Sequence, residues 1–180
     1  MIHFTSDTHF FHENIIAFCN RPFKCAEHMN EELVDNWNKQ VGPKDEVYHL
    51  GDVSFGRNDL TKQILDRLNG RIYLIQGNHD HGLAKQMAYR FEWVKDYYEL
   101  KWQKYKFVLC HFPFAVWNES HRGSFHLHGH SHGTLKNLGR RMDVGVDPMG
   151  YSPIRIETVT KLLLKEEPWF EDYHRNREGH

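Results

Sequence analysis

Short apolar runs that break off into polar turns alternate along this chain with stretches of helical period. Ile2 to Ser6, Glu46 to Leu50, Arg71 to Gln76 and Ser124 to Leu127 have the length and apolar content of strands. Between the first two, Met29, Leu33, Trp37 and Val41 recur every four positions, which predicts a helix over Glu27 to Val41, stopped by Gly42-Pro43. Asn58 is placed to cap a second helix whose inner face is Leu60, Ile64, Leu65 and Leu68, with Gly70 where a left-handed end would fall. Trp93 to Trp102 and Tyr105 to Cys110 read as paired strands around Gln103-Lys104, and Met142 to Val146 as a further strand. Glu157 to Lys165 is expected to be a helix burying Val159, Leu162 and Leu163. This alternation predicts a layered α/β fold. The late strands follow one another without intervening helices, which favours a mixed sheet or two stacked sheets.

The predicted strands share a habit at their ends. In chain order they deliver Asp7-Thr8-His9, Gly51-Asp52, Gly77-Asn78-His79-Asp80, His111 and Gly129-His130-Ser131-His132. Function at strand ends is the habit of α/β proteins. If the extended geometry of Ser124 to Leu127 persists, His130 and His132 face one side, and Gly129 allows a close approach. Carboxylate, amide and imidazole ligands without thiolate suit Mn²⁺, Fe²⁺ or Zn²⁺ better than Mg²⁺ or a structural zinc; of two divalent ions expected here, Mn²⁺ is the first choice and Ni²⁺ a further alternative. Taken singly, Asp7 could cap a turn, Asp52 could close a Gly-Asp turn and His111 could be a satisfied core histidine. Their joint order is what singles them out.

Composition narrows the picture. The 180 residues suit one domain, taken as 1–166 and followed by a charged tail over 167–180. A formal net charge of −1 disfavours the basic surface of a nuclease acting on polymeric nucleic acid. Fifteen histidines are the unusual count, whereas Cys19, Cys25 and Cys110 form no CxxC pair and are expected to be free thiols. No apolar run approaches the length of a membrane span and the first residues do not read as a leader, so a cytoplasmic protein with no membrane partner is expected.

The five blocks, DxH, GD, GNHD, a lone His and GHxH, resemble those of the calcineurin-like metallophosphoesterases, in the same order and spanning Asp7 to His132, as in small single-domain bacterial or phage members. The resemblance implies a layered α/β/β/α sandwich of mixed sheets flanked by helices, with the metal site at strand C-terminal ends. It also implies that Asp7, His9 and His132 hold one divalent ion, that Asn78, His111 and His130 hold another, and that Asp52 bridges them. The implied reaction is hydrolysis of a phosphodiester or phosphomonoester, a nucleotide-like small molecule being favoured, by a hydroxide shared between two ions roughly 3.5 to 4 Å apart. His79 then serves as general acid toward the leaving oxygen. Asp80 is expected either to hold His79 or to cap the following helix.

Substrate contacts are sought in Arg57 and His121. His12, Asn14, Phe55, His81 and Arg122 are weaker candidates of the same kind, and Phe10, Phe11, Phe55, Phe112, Phe114 and Trp117 are aromatics that either stack on a base or pack in the core. His3, His28, His49 and His174 are read as structural or exposed, and His126 and His128 as packing groups behind the last block. A non-catalytic scaffold of the same fold is the rival from another class, and it would be expected to lack ligands that are all present here.

Overall fold

The computed structural model describes residues 1–136 and 138–169. Strands β1 (Ile2–Thr5), β2 (Glu46–His49), β3 (Arg71–Ile75) and β4 (Phe91–Lys95) run parallel, and β9 (Ile154–Arg155) adds antiparallel to β1. The order of this sheet is β4-β3-β2-β1-β9. A second sheet, β5-β6-β7-β8, pairs β5 (Tyr97–Trp102) antiparallel with β6 (Tyr105–Cys110), then β7 (Phe125–His128) and β8 (Arg141–Asp143) in parallel. Both sheets are therefore mixed, as the spacing of elements predicts.

Alternation along the strands feeds two cores. Val47, Ile72 and Leu74 face helices α1 (Glu13–Phe18), α2 (Ala26–Gln40), α3 (Asn58–Arg67) and α4 (His81–Gln86), packing with Met29, Leu33, Trp37, Ile64 and Leu83. Phe4, Tyr48 and Ile75 face the other way, onto Phe107, Leu109, Phe125 and Leu127 of the second sheet. Helix α5 (Ile156–Leu163) closes this inter-sheet layer with Ile156, Val159 and Leu163. On the far face of the second sheet, Phe114 stacks on buried His126 at 4.9 Å and Trp117 packs against the same ring.

Several boundaries differ from expectation. The stretch Trp93 to Trp102 is not one strand: it splits at Asp96, β4 pairing with β3 and β5 crossing to β6 in the other sheet. A run of apolar residues reads alike whether it serves one sheet or two. Asn58 is the first residue of α3 and Arg57 its cap position, with no side-chain capping bond, while Gly70 does take the left-handed φ of +90°. Leu162 stays exposed because the inward face of α5 is formed by Ile156, Val159, Thr160 and Leu163. Helix α1 carries too few residues for a readable period. Of the tail expected over 167–180, and with it His174, residues 170 onward lie outside the described residues. Among the described residues no helix is long and apolar enough to cross a membrane.

Candidate metal centre

Parallel strands in both sheets end at one place, and each ends in a sharp turn. Asp7 and His9 leave β1, Asp52 leaves β2, Asn78 and His79 leave β3, His111 leaves β6, and His130 and His132 leave β7. The turns are held to one another by backbone bonds: Asp7 N–H donates to the Gly51 carbonyl, His9 N–H to Asp52, and Gly129 N–H to His111. Ser6 bridges to Gly145 beyond β8, tying the end of β1 to the second sheet. Gly129 is required where it stands, since a Cβ there would lie 2.0 Å from Ser6 Oγ and 2.3 Å from Asp7 Oδ2. At Gly77 a Cβ would lie 2.3 Å from Asp52 Oδ1.

The expected ligands form two groups. Asp7, His9 and His132 converge within 4.8 Å, and so do Asp52, His111 and His130. Asn78 joins the second group, its Oδ1 lying 3.0 Å from His111 Nε2. Asp52 lies between the two, with Oδ2 3.7 Å from His9 Nε2 and 3.6 Å from His111 Nε2. The expectation that His130 and His132 share one side of a continuing strand is overturned. Strand β7 ends at His128, and both histidines take positive φ, 66° and 46°, which sends them to different groups.

The donor set fits divalent cations. His111 donates Nδ1–H to the Leu50 carbonyl at 2.7 Å, so Nε2 turns a lone pair toward the Asn78 and Asp52 oxygens. Three acceptors converge there with no proton to share. His9 Nε2 is buried without a hydrogen-bond partner, an arrangement that is costly unless a ligand completes it. Burial, helped by the neighbouring His132 and Arg21, pulls the His9 imidazole down to about 2, leaving it neutral and able to ligate. Burial also pushes the Asp7 carboxyl up to about 8, against the pull of His132. A cation beside it would reverse that penalty.

The remaining expected site residues divide. His79 donates its backbone N–H to Asp52 Oδ1 at 3.0 Å and holds its half-exposed ring with Nε2 4.0 Å from Asp52 Oδ2. Asp80 does not hold that ring. Its Oδ2 accepts from Asp52 N–H and Gly77 N–H, and its Oδ1 from Val53 N–H, so both oxygens are spent bracing the turn that presents Asp52. Nor does its side chain cap α4. Arg57 is exposed and paired with Asp59 at 3.0 Å. His121 sits on the turn Ser120–Arg122, at the end of the sheet where Glu119 meets Lys106 at the start of β6, opposite the end from which the ligands leave. The structure thus does not bring His121 to the centre. It does bring Phe55, stacked on His12 at 4.1 Å and facing His79 at 4.7 Å, and Phe112, edge-on to His111 and His130. Phe10 and Trp117 are core.

Two residues escaped the sequence reading. Asp147 accepts Nδ1–H of His132 at 2.7 Å, and buried Arg21 grips the same carboxylate through Nε and Nη2, both at 2.8 Å. Asp147 follows the expected strand Met142 to Val146 and so repeats the strand-then-carboxylate habit, which is the signal that could have found it. Arg21 carries no comparable signal. His126 is a satisfied core histidine, donating Nδ1–H to the Val108 carbonyl and accepting from Phe114 N–H.

Two stacked mixed sheets whose parallel strands aim carboxylate, amide and imidazole groups at one point define an α/β protein with a candidate metal centre at its strand ends. A model of the calcineurin-like phosphoesterase family matches residues 1–179, and the chain belongs to that family. An uncharacterized protein of Methanocaldococcus jannaschii is 35% identical over 173 residues, covering 91% of this chain and 92% of its own. The gene 66 protein of Mycobacterium phage L5 is 28% identical, with 82% and 86% covered. Among solved structures, a protein of unknown function from Aquifex aeolicus superposes with a TM-score of 0.75 at 27% identity, covering 90% of this chain and 98% of that one. The phosphoesterase Yfce from E. coli gives a TM-score of 0.50 at 19% identity, covering 80% and 77%, a likeness of fold. The family implies divalent metal ions, and the two ligand groups are the candidates to hold them.

Proposed function

We propose that the protein hydrolyses a phosphate ester, either a phosphodiester or a phosphomonoester of nucleotide-like size, at a pair of divalent metal ions. One ion is assigned to Asp7, His9 and His132 and the other to Asn78, His111 and His130, with Asp52 shared. Bound there, such ions supply an activated water and neutralise charge on the phosphoryl oxygens. The observation that carries the reading is the placement of Asp52 Oδ2, which stands within 3.7 Å of a histidine from each group. Mn²⁺ is the first choice of metal, with Fe²⁺, Zn²⁺ and Ni²⁺ as alternatives, on the chemistry of the donors.

His79 is positioned to act on the leaving group. Its backbone is anchored to Asp52 while its imidazole remains half exposed at the rim, so it can hold a proton toward an oxygen departing from phosphorus. Phe55 and Phe112, 40% and 43% exposed, flank the centre as apolar walls suited to the organic part of a small ester. The test is hydrolysis of bis-p-nitrophenyl phosphate against p-nitrophenyl phosphate by chelator-stripped protein with Mn²⁺ restored. Turnover that requires metal and is lost in Asp52→Asn is expected, and the faster ester assigns diester or monoester chemistry. Full turnover in Asp52→Asn would overturn the shared role of that carboxylate.

A further inference from the structure

The two ligand groups are supported differently. Behind the second group stands a neutral carbonyl, that of Leu50, which accepts from His111 Nδ1–H. Behind the first stands a charged pair. Arg21 is only 4% exposed although it leaves the loop after α1. Its guanidinium donates Nε–H and Nη2–H to the two oxygens of Asp147 at 2.8 Å, Nη2–H to the Asp7 carbonyl at 2.8 Å, and Nη1–H to the Thr8 carbonyl at 3.1 Å and Met29 Sδ at 3.3 Å. All five donors are thereby spent. One planar fork fixes the backbone of the Asp7-Thr8-His9 turn and, through Asp147, the ring of His132.

The consequence for His132 is specific. Because Asp147 Oδ2 accepts at 2.7 Å, Nδ1 carries a proton, and in the neutral ring that leaves Nε2 as the nitrogen free to ligate beside Asp7 and His9. A carboxylate behind a ligating imidazole sets its tautomer and orientation and raises its basicity. Arg21 holds that carboxylate aligned through two bonds, and a lysine could not reproduce the bidentate grip. His130 has no such support: it is exposed, and among the described residues only its backbone N–H is bonded, to Asp7 at 2.9 and 3.1 Å.

We infer that Asp147, clamped by Arg21, is a positioning residue that makes the Asp7, His9 and His132 site the tighter of two unequal metal sites, so that it fills first. This rests on the reading that both groups take divalent ions. Calorimetric titration of the metal-stripped full chain with Mn²⁺ alone tests it, beside thermal unfolding of the same stripped samples. The expected result is two binding phases in the unaltered protein. Asp147→Asn should weaken the tight phase by about 10–100-fold and leave the weak phase in place. Arg21→Lys should fall in the same direction, serving as the second variant should Asp147→Asn fail to fold. Equal loss from both phases, or no change in a folded variant, would overturn the positioning role while leaving two bound ions intact. An unaltered chain that binds no Mn²⁺ would overturn the metal reading itself, and with it this inference.

Discussion

Asp80 is where sequence and structure give opposite mechanisms, and replacing it by asparagine separates them. The carboxylate is fully buried and accepts three backbone N–H groups, from Asp52 at 2.7 Å and from Val53 and Gly77 at 2.9 Å. An asparagine amide keeps two of these if its oxygen takes the place of Oδ2, but its NH₂ then faces the Val53 N–H. A lost bond to a charged acceptor with a buried donor stranded behind it costs about 2–4 kcal/mol. Burial holds the Asp80 carboxyl above the usual carboxylate range despite the three N–H bonds, so removing the charge returns part of that cost. The net expectation is about 2 kcal/mol, or roughly 4–8 °C in Tm for a domain of this size. Because the braced turn presents Asp52, Mn²⁺ affinity should fall with stability. Urea unfolding and calorimetry of the stripped protein measure both. An unchanged urea midpoint, joined to a turnover defect confined to esters with poor leaving groups, would refute the brace and return Asp80 to the side of the imidazole.

Other perturbations follow from the same geometry. His79→Asn should keep both metals, since the ring lies 4.0 Å from Asp52 at the rim, and slow turnover by about 10²–10⁴-fold for poor leaving groups but far less for p-nitrophenolate. Loss of Mn²⁺ from that variant in the calorimeter would make His79 a ligand. His126 is buried neutral, its pKa drawn by burial from 6.5 to about 3. Below pH 6.5 the unfolded chain takes up a proton that the folded chain refuses, so stability present above that pH is lost as pH falls toward 3. Between pH 6.5 and 5 the loss is about 2 kcal/mol. Urea midpoints of the unaltered protein against His126→Gln across that interval should diverge by this amount, and parallel curves would contradict the assignment.

Much of this centre was legible because catalytic-type residues were announced by strand ends. Asp7, Asp52, Asn78 and His111 each follow an apolar run, and the order of blocks identified them where no single one would have. What was not legible is instructive in each case. Asp80 occupies a helix-start position, and nothing in the sequence distinguishes a side chain that caps its own helix from one that reaches back across the turn to the backbone of residues 52 and 53. Arg21 reaches residue 147 over a distance in sequence that local patterns do not span. His121 lies close to the last motif along the chain. Proximity in space depends instead on which end of a strand a loop leaves from, and the turn bearing His121 belongs to the wrong end of β7.

The deepest failure of local reading lies in the ligands themselves. Asp7, His9, Asp52, His130 and His132 all sit at positive φ, between 46° and 66°, a region that costs a non-glycine residue about 1–3 kcal/mol. Such residues persist only where their surroundings over-determine them, and here they determine one another. Asp7 N–H is tied to Gly51, His9 N–H to Asp52, Asp52 N–H to Asp80 and His130 N–H to the Asp7 carboxylate. Each turn is therefore held by its neighbour rather than by its own sequence preference, which is why strand parity misplaced His130 and His132. The same closure makes assembly of the turns cooperative, so the five strand ends are expected to take up their positive-φ turns together as the chain folds.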